Sequence, residues 1–279
     1  MQFISYNIHM AVRLPVILSE FKKRDLMTKT AIFCLQEASV NGLKNSCDEI
    51  LESFPMLPLA YKFEPCNELN GKIQANGIIY RKDIFEPVSY SAIQLPTLPK
   101  IFQLIGISIF WKRRIEPRIC QNLLLKTQDG KYVRILNTHL DFLGGWMHTF
   151  QQLGKILHIF RKKRKMADVT LLCGDFNTMI FRKRHKKYRE KLLEFLAIHH
   201  LYDMTKHIKN TYQFKPAEVK KFVAAPFFSQ LVGYLRIPIR QKLDWILIYR
   251  KDKTQKIPDA QVLSMPGSDH LPLVANIEI

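Results

Sequence analysis

LLCGDFNTM (Leu171 to Met179) and GSDHLPL (Gly267 to Leu273) each set an aspartate beside a polar partner, where an apolar run gives way to a loop. A short apolar run bounded by Gly, Asp or Asn reads as a buried strand, and a carboxylate at its end sits at the rim of a sheet. Four more segments repeat the arrangement: ISYNIH (Ile4 to His9), IFCLQEAS (Ile32 to Ser39), NTHLDF (Asn137 to Phe142) and KLDWILI (Lys242 to Ile248). Polar clusters capping so many apolar runs call for a fold that gathers strand ends into one cleft.

The rest of the chain alternates between the two periods. Strands are expected at 4–8, 31–35, 76–80, 88–93, 118–125, 132–137, 169–173, 243–249, 260–264 and 271–279. Helices are expected at about 14–26, 43–54, 146–164 and 188–199. QDGK at 128–131 is a hairpin signal, and Leu153, Ile156, Leu157 and Phe160 share one helical face. This mixture predicts an α/β fold of two sheets packed face to face with helices outside, in one domain over residues 1–279.

The 279 residues, 47% hydrophobic and 24% charged, describe a chain able to bury a large core and exclude a disordered one. The five cysteines are scattered, with no CxxC pair, which argues against a disulfide framework or a zinc site. Met1 leads directly into the strand-like QFISYNI, without a basic segment and apolar core of a secretory signal. No uncharged run reaches the roughly 20 residues of a membrane span. The expectation is a cytoplasmic monomer, with peripheral membrane association as a further option.

The net charge is +19, and from Arg161 to Lys191 there are 12 Lys or Arg against three acids. That excess flanks GDFN on both sides and favours a polyanionic partner, nucleic acid or an anionic phospholipid membrane surface. Two uncharged apolar stretches stand apart, IFQLIGISIFW (Ile101 to Trp111) and FVAAPFFSQLVGYL (Phe222 to Leu235), each beside Lys or Arg. They are core helices or covering loops on one reading and membrane-dipping elements with basic collars on the other.

The polar clusters suit phosphodiester cleavage, which needs a divalent cation, an in-line water and a proton-handling group. Magnesium takes oxygen ligands and few protein carboxylates. Glu37, at the end of FCLQE, is the first candidate, with Asp269 and the amide oxygen of Asn7 beside it if the strands converge. His270 pairs with Asp244, which fixes its tautomer and raises its pKa. Asp175 and Asn177 occupy alternate positions, so in an extended segment their side chains face the same way, one for water and one for a phosphate oxygen. His139 is a donor to the phosphoryl group. His148, His158, His185, His199, His200 and His207 are read as structural.

In order, NIH, LQE, NTHL, GDFN, LDW and SDHLPL resemble the endonuclease/exonuclease/phosphatase superfamily, the fold of deoxyribonuclease I, from residue 5 to residue 275. The resemblance implies a four-layered α/β sandwich, two mostly antiparallel sheets packed face to face with outer helices. It implies metal-site roles for Asn7, Glu37 and Asp269, nucleophile and phosphate positioning by Asp175 and Asn177, a His270–Asp244 pair, and a second catalytic histidine, His139. EPR (Glu116 to Arg118) is similar to a segment of many bacterial members, so Arg118 faces the substrate or forms a structural salt bridge. NTHL points away from the abasic-site endonucleases, as does His9, where several DNA-repair members carry Asp. The apolar insertions near 98–114 and 214–241 are what the resemblance does not explain.

The expected activity is that of a Mg²⁺-dependent phosphohydrolase, with Mn²⁺ as a substitute, cleaving phosphodiesters of nucleic acid by in-line attack of water. The alternative is a phospholipid phosphodiesterase or phosphoinositide phosphatase at a membrane surface. A third reading is a non-catalytic nucleic-acid-binding module. Charge places nucleic acid narrowly ahead of lipid, because cationic charge serves both and the apolar stretches serve one.

Overall fold

A computed structural model of the protein describes residues 1–69, 72–98, 117–141, 145–178, 183–214 and 239–279. In chain order the elements are β1 (Gln2–Asn7), α1 (Leu14–Lys23), α2 (Leu26–Lys29), β2 (Thr30–Asn41), β3 (Lys44–Asn45), α3 (Ser46–Ser53), β4 (Leu59–Leu69), β5 (Lys72–Arg81) and β6 (Phe85–Gln94). Then follow β7 (Ile119–Thr127), β8 (Tyr132–His139), α4 (Gly145–Lys163), β9 (Val169–Asp175), α5 (Lys183–Ile198), β10 (Tyr202–Asp203) and β11 (Tyr212–Phe214). The last are β12 (Ile239–Gln241), β13 (Asp244–Arg250), β14 (Gln261–Val262) and β15 (Leu273–Asn276).

One sheet runs β14-β15-β1-β2-β5-β4, with β3 attached to β2, and the other runs β10-β13-β9-β8-β7-β6. Each contains a single parallel pairing at its centre, β1 with β2 and β8 with β9, and is otherwise antiparallel. Alternation along the strands builds the layers. Phe3, Ile32 and Cys34 meet Ile135, Leu171, Cys173, Ile246 and Ile248 in the core between the sheets. Ile4, Phe33 and Leu35 turn outward onto Ile17 and Phe21 of α1 and Ile50 of α3. Leu136, Leu172, Trp245 and Leu247 turn outward onto α4 and α5. The result is the expected four-layered sandwich. The apolar face of α4 is the one read from sequence, and its four large side chains contribute about 1.5–3 kcal/mol each by burial.

Local chemistry fixes several boundaries. Asn45 accepts from the Cys47 and Asp48 backbone N–H groups while Asp48 accepts from that of Asn45, a reciprocal cap that starts α3 after residue 45 rather than at 43. β4 was not expected, because Pro65 and its charged neighbours hide the alternation. It lies at a sheet edge with a register shift at Pro65, and β6, with a shift at Pro87, edges the other sheet. Edges are where a residue without an N–H is tolerated.

The apolar stretches Ile101 to Trp111 and Phe222 to Leu235 lie outside the described residues. The chain on either side of them is described: Leu95 donates its N–H to the Arg118 carbonyl at 2.8 Å, and β11 pairs with β12. No described helix is long and apolar enough to cross a membrane.

Candidate active site

The inward-facing rows that build the central core continue to one end of the sandwich, and there they turn polar. Ile135 leads to Asn137 and His139, Cys173 to Asp175, Ile246 to Asp244, Phe3 to Ser5 and Asn7, and Cys34 to Gln36. Strand register aligns the ends: His139 is opposite Asp175, and Asp175 opposite Asp244. On the facing sheet, Asn7 is opposite Gln36.

Two motif glycines permit this closeness. At Gly174, φ is +134° and an added Cβ would lie 1.8 Å from the Thr138 carbonyl oxygen, so only glycine lets β8 and β9 pair there. Gly267, with φ +116°, packs against Ile17 of α1, where a Cβ would come within 2.5 Å.

Glu37 corrects one expectation. It stands inside β2, not at a strand end, in a register shift against β5 with φ +50°. A bulge of this kind re-aims a side chain that regular alternation would have turned away from the cleft. Asn177 corrects another. Its φ is +51°, so the alternate-position argument, which needs an extended backbone, does not hold. Its N–H donates to Asp175 Oδ1 at 2.8 Å and its side-chain amide to the Leu140 carbonyl at 2.8 Å.

The polar groups converge on Asp175. Asn7 Nδ2 donates to Asp175 Oδ2 at 3.1 Å and reaches Glu37 Oε1 at 3.4 Å. His139 Nε2 and His270 Nε2 each stand 3.6 Å from the same Asp175 Oδ2. That is too long for a good hydrogen bond and leaves both imidazole edges open to a ligand. His270 Nδ1 lies 2.8 Å from Asp244 Oδ2, the pairing read from sequence. The Tyr212 ring packs edge-on to His270 with centroids 5.0 Å apart.

The electrostatics assign different states to the two histidines. Burial opposes charge on His270, but Asp244 and Asp175 outweigh it and hold the imidazole well above its ordinary pKa. It is an imidazolium at neutral pH. Burial, Arg118 and His270 push His139 well below the ordinary value, so it is neutral. Arg118 Nη1 sits 3.2 Å from His139 Nδ1 and also donates to Gln74 Oε1 at 3.2 Å. A guanidinium only donates, so His139 Nδ1 accepts and its proton is on Nε2, toward Asp175 and the cleft. Arg118, expected at the substrate or in a salt bridge, fixes the His139 tautomer. Asp175 is raised to about 7, by burial first and then by the Asp244 and Glu37 charges.

Asp269 makes a 2.9 Å contact with His9 Nδ1, and these rim groups are partly exposed, Glu37 at 20% and Asp269 at 18%. The buried trio Asp175, Asp244 and His270 offers ligand atoms within 4.8 Å of one another. Its closeness follows from the His270–Asp244 hydrogen bond, and an imidazolium with carboxylates is not a magnesium set. Glu37 and Asp269 supply hard oxygens, and the carboxylates crowded about Asp175 are what a divalent cation would relieve. The donor chemistry fits a cation on that side of the cleft. The Asn7 amide oxygen accepts from the His9 N–H at 3.0 Å, so its NH₂ group, not its oxygen, faces the carboxylates.

Beneath the site lies a buried amide layer that sequence reading missed. Gln36 Nε2 donates to Asn137 Oδ1 at 2.7 Å, and Asn137 Nδ2 donates to the Leu35 and Gly77 carbonyls and to Gln121 Oε1. Alternation was the available signal, since Gln36, Gln121 and Asn137 hold inward positions. Of the histidines read as structural, His148 is buried 3.6 Å from Asp141.

Neither a protein-family model nor a curated protein matches the sequence. Solved structures match over nearly its whole length. An endonuclease/exonuclease/phosphatase family protein from Leptotrichia buccalis is 14% identical with a TM-score of 0.66, covering 100% of both chains. D. rerio TDP2, solved with a single-strand DNA product, is 14% identical with a TM-score of 0.61 over 99% of this chain and 97% of its own. The mannosyl-6-phosphatase of Bacteroides thetaiotaomicron is 17% identical with a TM-score of 0.58, covering 100% of both. At such identities the likeness is one of fold.

Proposed function

The chain has the endonuclease/exonuclease/phosphatase fold, and from that premise we propose that it is a divalent-metal-dependent phosphohydrolase that cleaves phosphodiesters of nucleic acid. The observation that carries this reading is the Asp244–His270 pair facing Asp175 Oδ2 beside the His139 Nε2–H. Residues 1–279 act as one domain, because β1 and β15, from opposite ends of the chain, pair in the sheet that carries Asn7 and Glu37.

The residues divide the work by charge. His270, held cationic by Asp244, donates from Nε2 to a phosphoryl oxygen, and neutral His139 donates to the same group from its own Nε2. Asp175, with one oxygen held by the Asn177 N–H and the other by Asn7, takes the proton of the attacking water. A group titrating near 7 suits that role at neutral pH. Glu37 and Asp269 would hold the cation, Mg²⁺ or Mn²⁺, which when bound would neutralise phosphoryl and leaving-group oxygens. The partner is a polyanion, which the +19 charge favours, and the TDP2 neighbour was solved with single-strand DNA.

A lipid substrate is the second reading, and one observation favours it. The described chain flanking the two apolar stretches carries cleft residues, Arg118 in one case and Tyr212, which contacts His270, in the other. The test is release of product from plasmid DNA, single-stranded RNA and anionic phospholipid vesicles, each with Mg²⁺ and with chelator, by wild type and His270→Ala. Metal-dependent nucleic-acid cleavage, reduced about 10²–10⁴-fold in the variant, is expected. Full activity in chelator, or in folded His270→Ala, refutes the catalytic assignment; headgroup release with intact nucleic acid moves the enzyme to lipid.

A further inference from the structure

The two helical layers differ in charge far more than the whole-chain figure suggests. The layer on the β1 sheet (α1, α2 and α3) carries Lys22, Lys23 and Lys29 against Glu20, Asp48, Glu49 and Glu52. The layer on the β9 sheet (α4 and α5) carries ten Lys or Arg against Glu190 and Glu194 alone. α4 contains no acid at all, and none follows it until Asp168. Lys155, Arg161, Lys162, Lys163, Lys165, Lys186, Lys187 and Lys191 are exposed. Among the described residues none of these eight is in an ion pair, whereas nearby Lys251 is paired with Asp168. Lys186 and Lys187, near the start of α5, oppose the helix dipole, a cost that an external anion would offset.

The charge is also distributed along a line. α4 begins six residues after His139, the last residue of β8, and α5 eight residues after Asp175, the last of β9. Both then run back toward the far end of the sandwich. Trp146 and Tyr188 stack near their starts with centroids 6.1 Å apart, and His199, past the end of α5, has its pKa lowered by burial and then by the nearby Arg161 and Arg164. Arg189 sits 5.2 Å over the ring of Trp245, on the outward face of the strand that carries Asp244, and with Lys186, Lys187 and Lys191 forms a first basic cluster near the start of α5. The second cluster, Arg161 to Lys165, is one α4 length away, roughly 28 Å at 1.5 Å per residue. Lys155 and His158 are exposed between them.

We propose that the α4–α5 face is a track for single-stranded nucleic acid, gripping a strand from the cleft to the Arg161–Lys165 cluster. This rests on the phosphodiesterase reading of the cleft. Roughly 28 Å accommodates about eight phosphates at the ~3.4 Å spacing of a stacked strand. A bilayer meets the alternative poorly: a plane presenting a headgroup to the cleft touches the rim and cannot also reach a cluster at the opposite end of the helices.

The test is anisotropy in chelator with labelled single strands of about 4 and about 16 nucleotides, comparing wild type with a variant carrying Arg161→Ala, Lys162→Ala, Lys163→Ala and Lys165→Ala. At a slope of about −0.7 per phosphate contact, losing four contacts lowers the log–log salt slope by about 3 and weakens the long strand by tens- to hundreds-fold. Binding of the short strand and its turnover with Mg²⁺ stay unchanged. Equal losses for both lengths, or none, overturn the track, as does a loss confined to phosphatidylserine vesicles. Wild type that binds the long strand without cleaving it defeats the catalytic reading and leaves the track standing. Metal-dependent cleavage with long-strand binding and cleavage both indifferent to the four substitutions does the reverse.

Discussion

Asp175→Asn should stabilise the metal-free protein at alkaline pH while abolishing its activity. The carboxyl is raised from 3.8 to about 7, first because it is buried and then because Asp244 and Glu37 crowd it. Its folded pKa therefore exceeds its unfolded value, so its contribution is fully present below about pH 4 and is lost as pH rises through about 7. Three pKa units at 1.36 kcal/mol each make that loss roughly 4 kcal/mol for an isolated group. The measured gain from the amide is smaller, because Asp175 is one of the carboxylates holding His270 protonated. That histidine, with a raised folded pKa, stabilises below about 6.5 and loses its contribution as pH climbs through the folded value. Removing Asp175 weakens this, and about half of the isolated figure, roughly 2 kcal/mol, is expected to remain.

The assay is urea unfolding in chelator near pH 5 and near pH 8.5, with oligonucleotide hydrolysis measured on the same preparations in Mg²⁺. The variant should gain little near pH 5, where only about a third of the loss has accrued, and more near pH 8.5, and be inactive at both. Equal destabilisation at the two values would refute the argument, since it would mean that Asp175 stabilises the fold through its hydrogen bonds with Asn7 and Asn177 rather than straining it with a buried charge.

Three further outcomes follow from the same geometry. Hydrolysis in Mg²⁺ should rise with pH as Asp175 ionises, at a pH below the value of about 7 that holds without a cation, and fall again only where His270 deprotonates; in Asp244→Asn that alkaline limb should move to lower pH, and an unmoved limb would detach it from His270. Arg118→Gln should raise the His139 pKa toward its ordinary value, because the guanidinium is among the causes of its depression, and cost activity about tenfold through loss of the fixed tautomer, with histidine ¹⁵N shifts reporting the tautomer directly. Gly174→Ala should unfold or destabilise the protein by more than about 3 kcal/mol, given a Cβ 1.8 Å from the Thr138 oxygen, and near-wild-type melting would show that β8 and β9 can separate there.

What the sequence disclosed was whatever strand ends report locally. Asp175, His139 and Asp244 each terminate an apolar alternating run, so their place in one row was legible once the strands were aligned. Glu37 was found for the wrong reason: its motif pointed to a strand end, while the bulge that turns it into the cleft depends on pairing with β5, more than thirty residues downstream. Asn177 failed in the opposite direction, since a left-handed residue after a strand has no mark in GDFN beyond the asparagine itself, a residue that tolerates that conformation. The amide layer of Gln36, Gln121 and Asn137 was invisible because buried amides look like exposed ones until a partner strand is known. It explains why the site can sit on the core at all. Below it the facing rows are apolar; above it four carboxylates and the catalytic histidines need ordered dipoles. Amides that donate and accept in fixed directions join those two environments without introducing another charge, and so hold the rim rigid enough for a histidine and a carboxylate to stay at 3.6 Å, poised but unbonded.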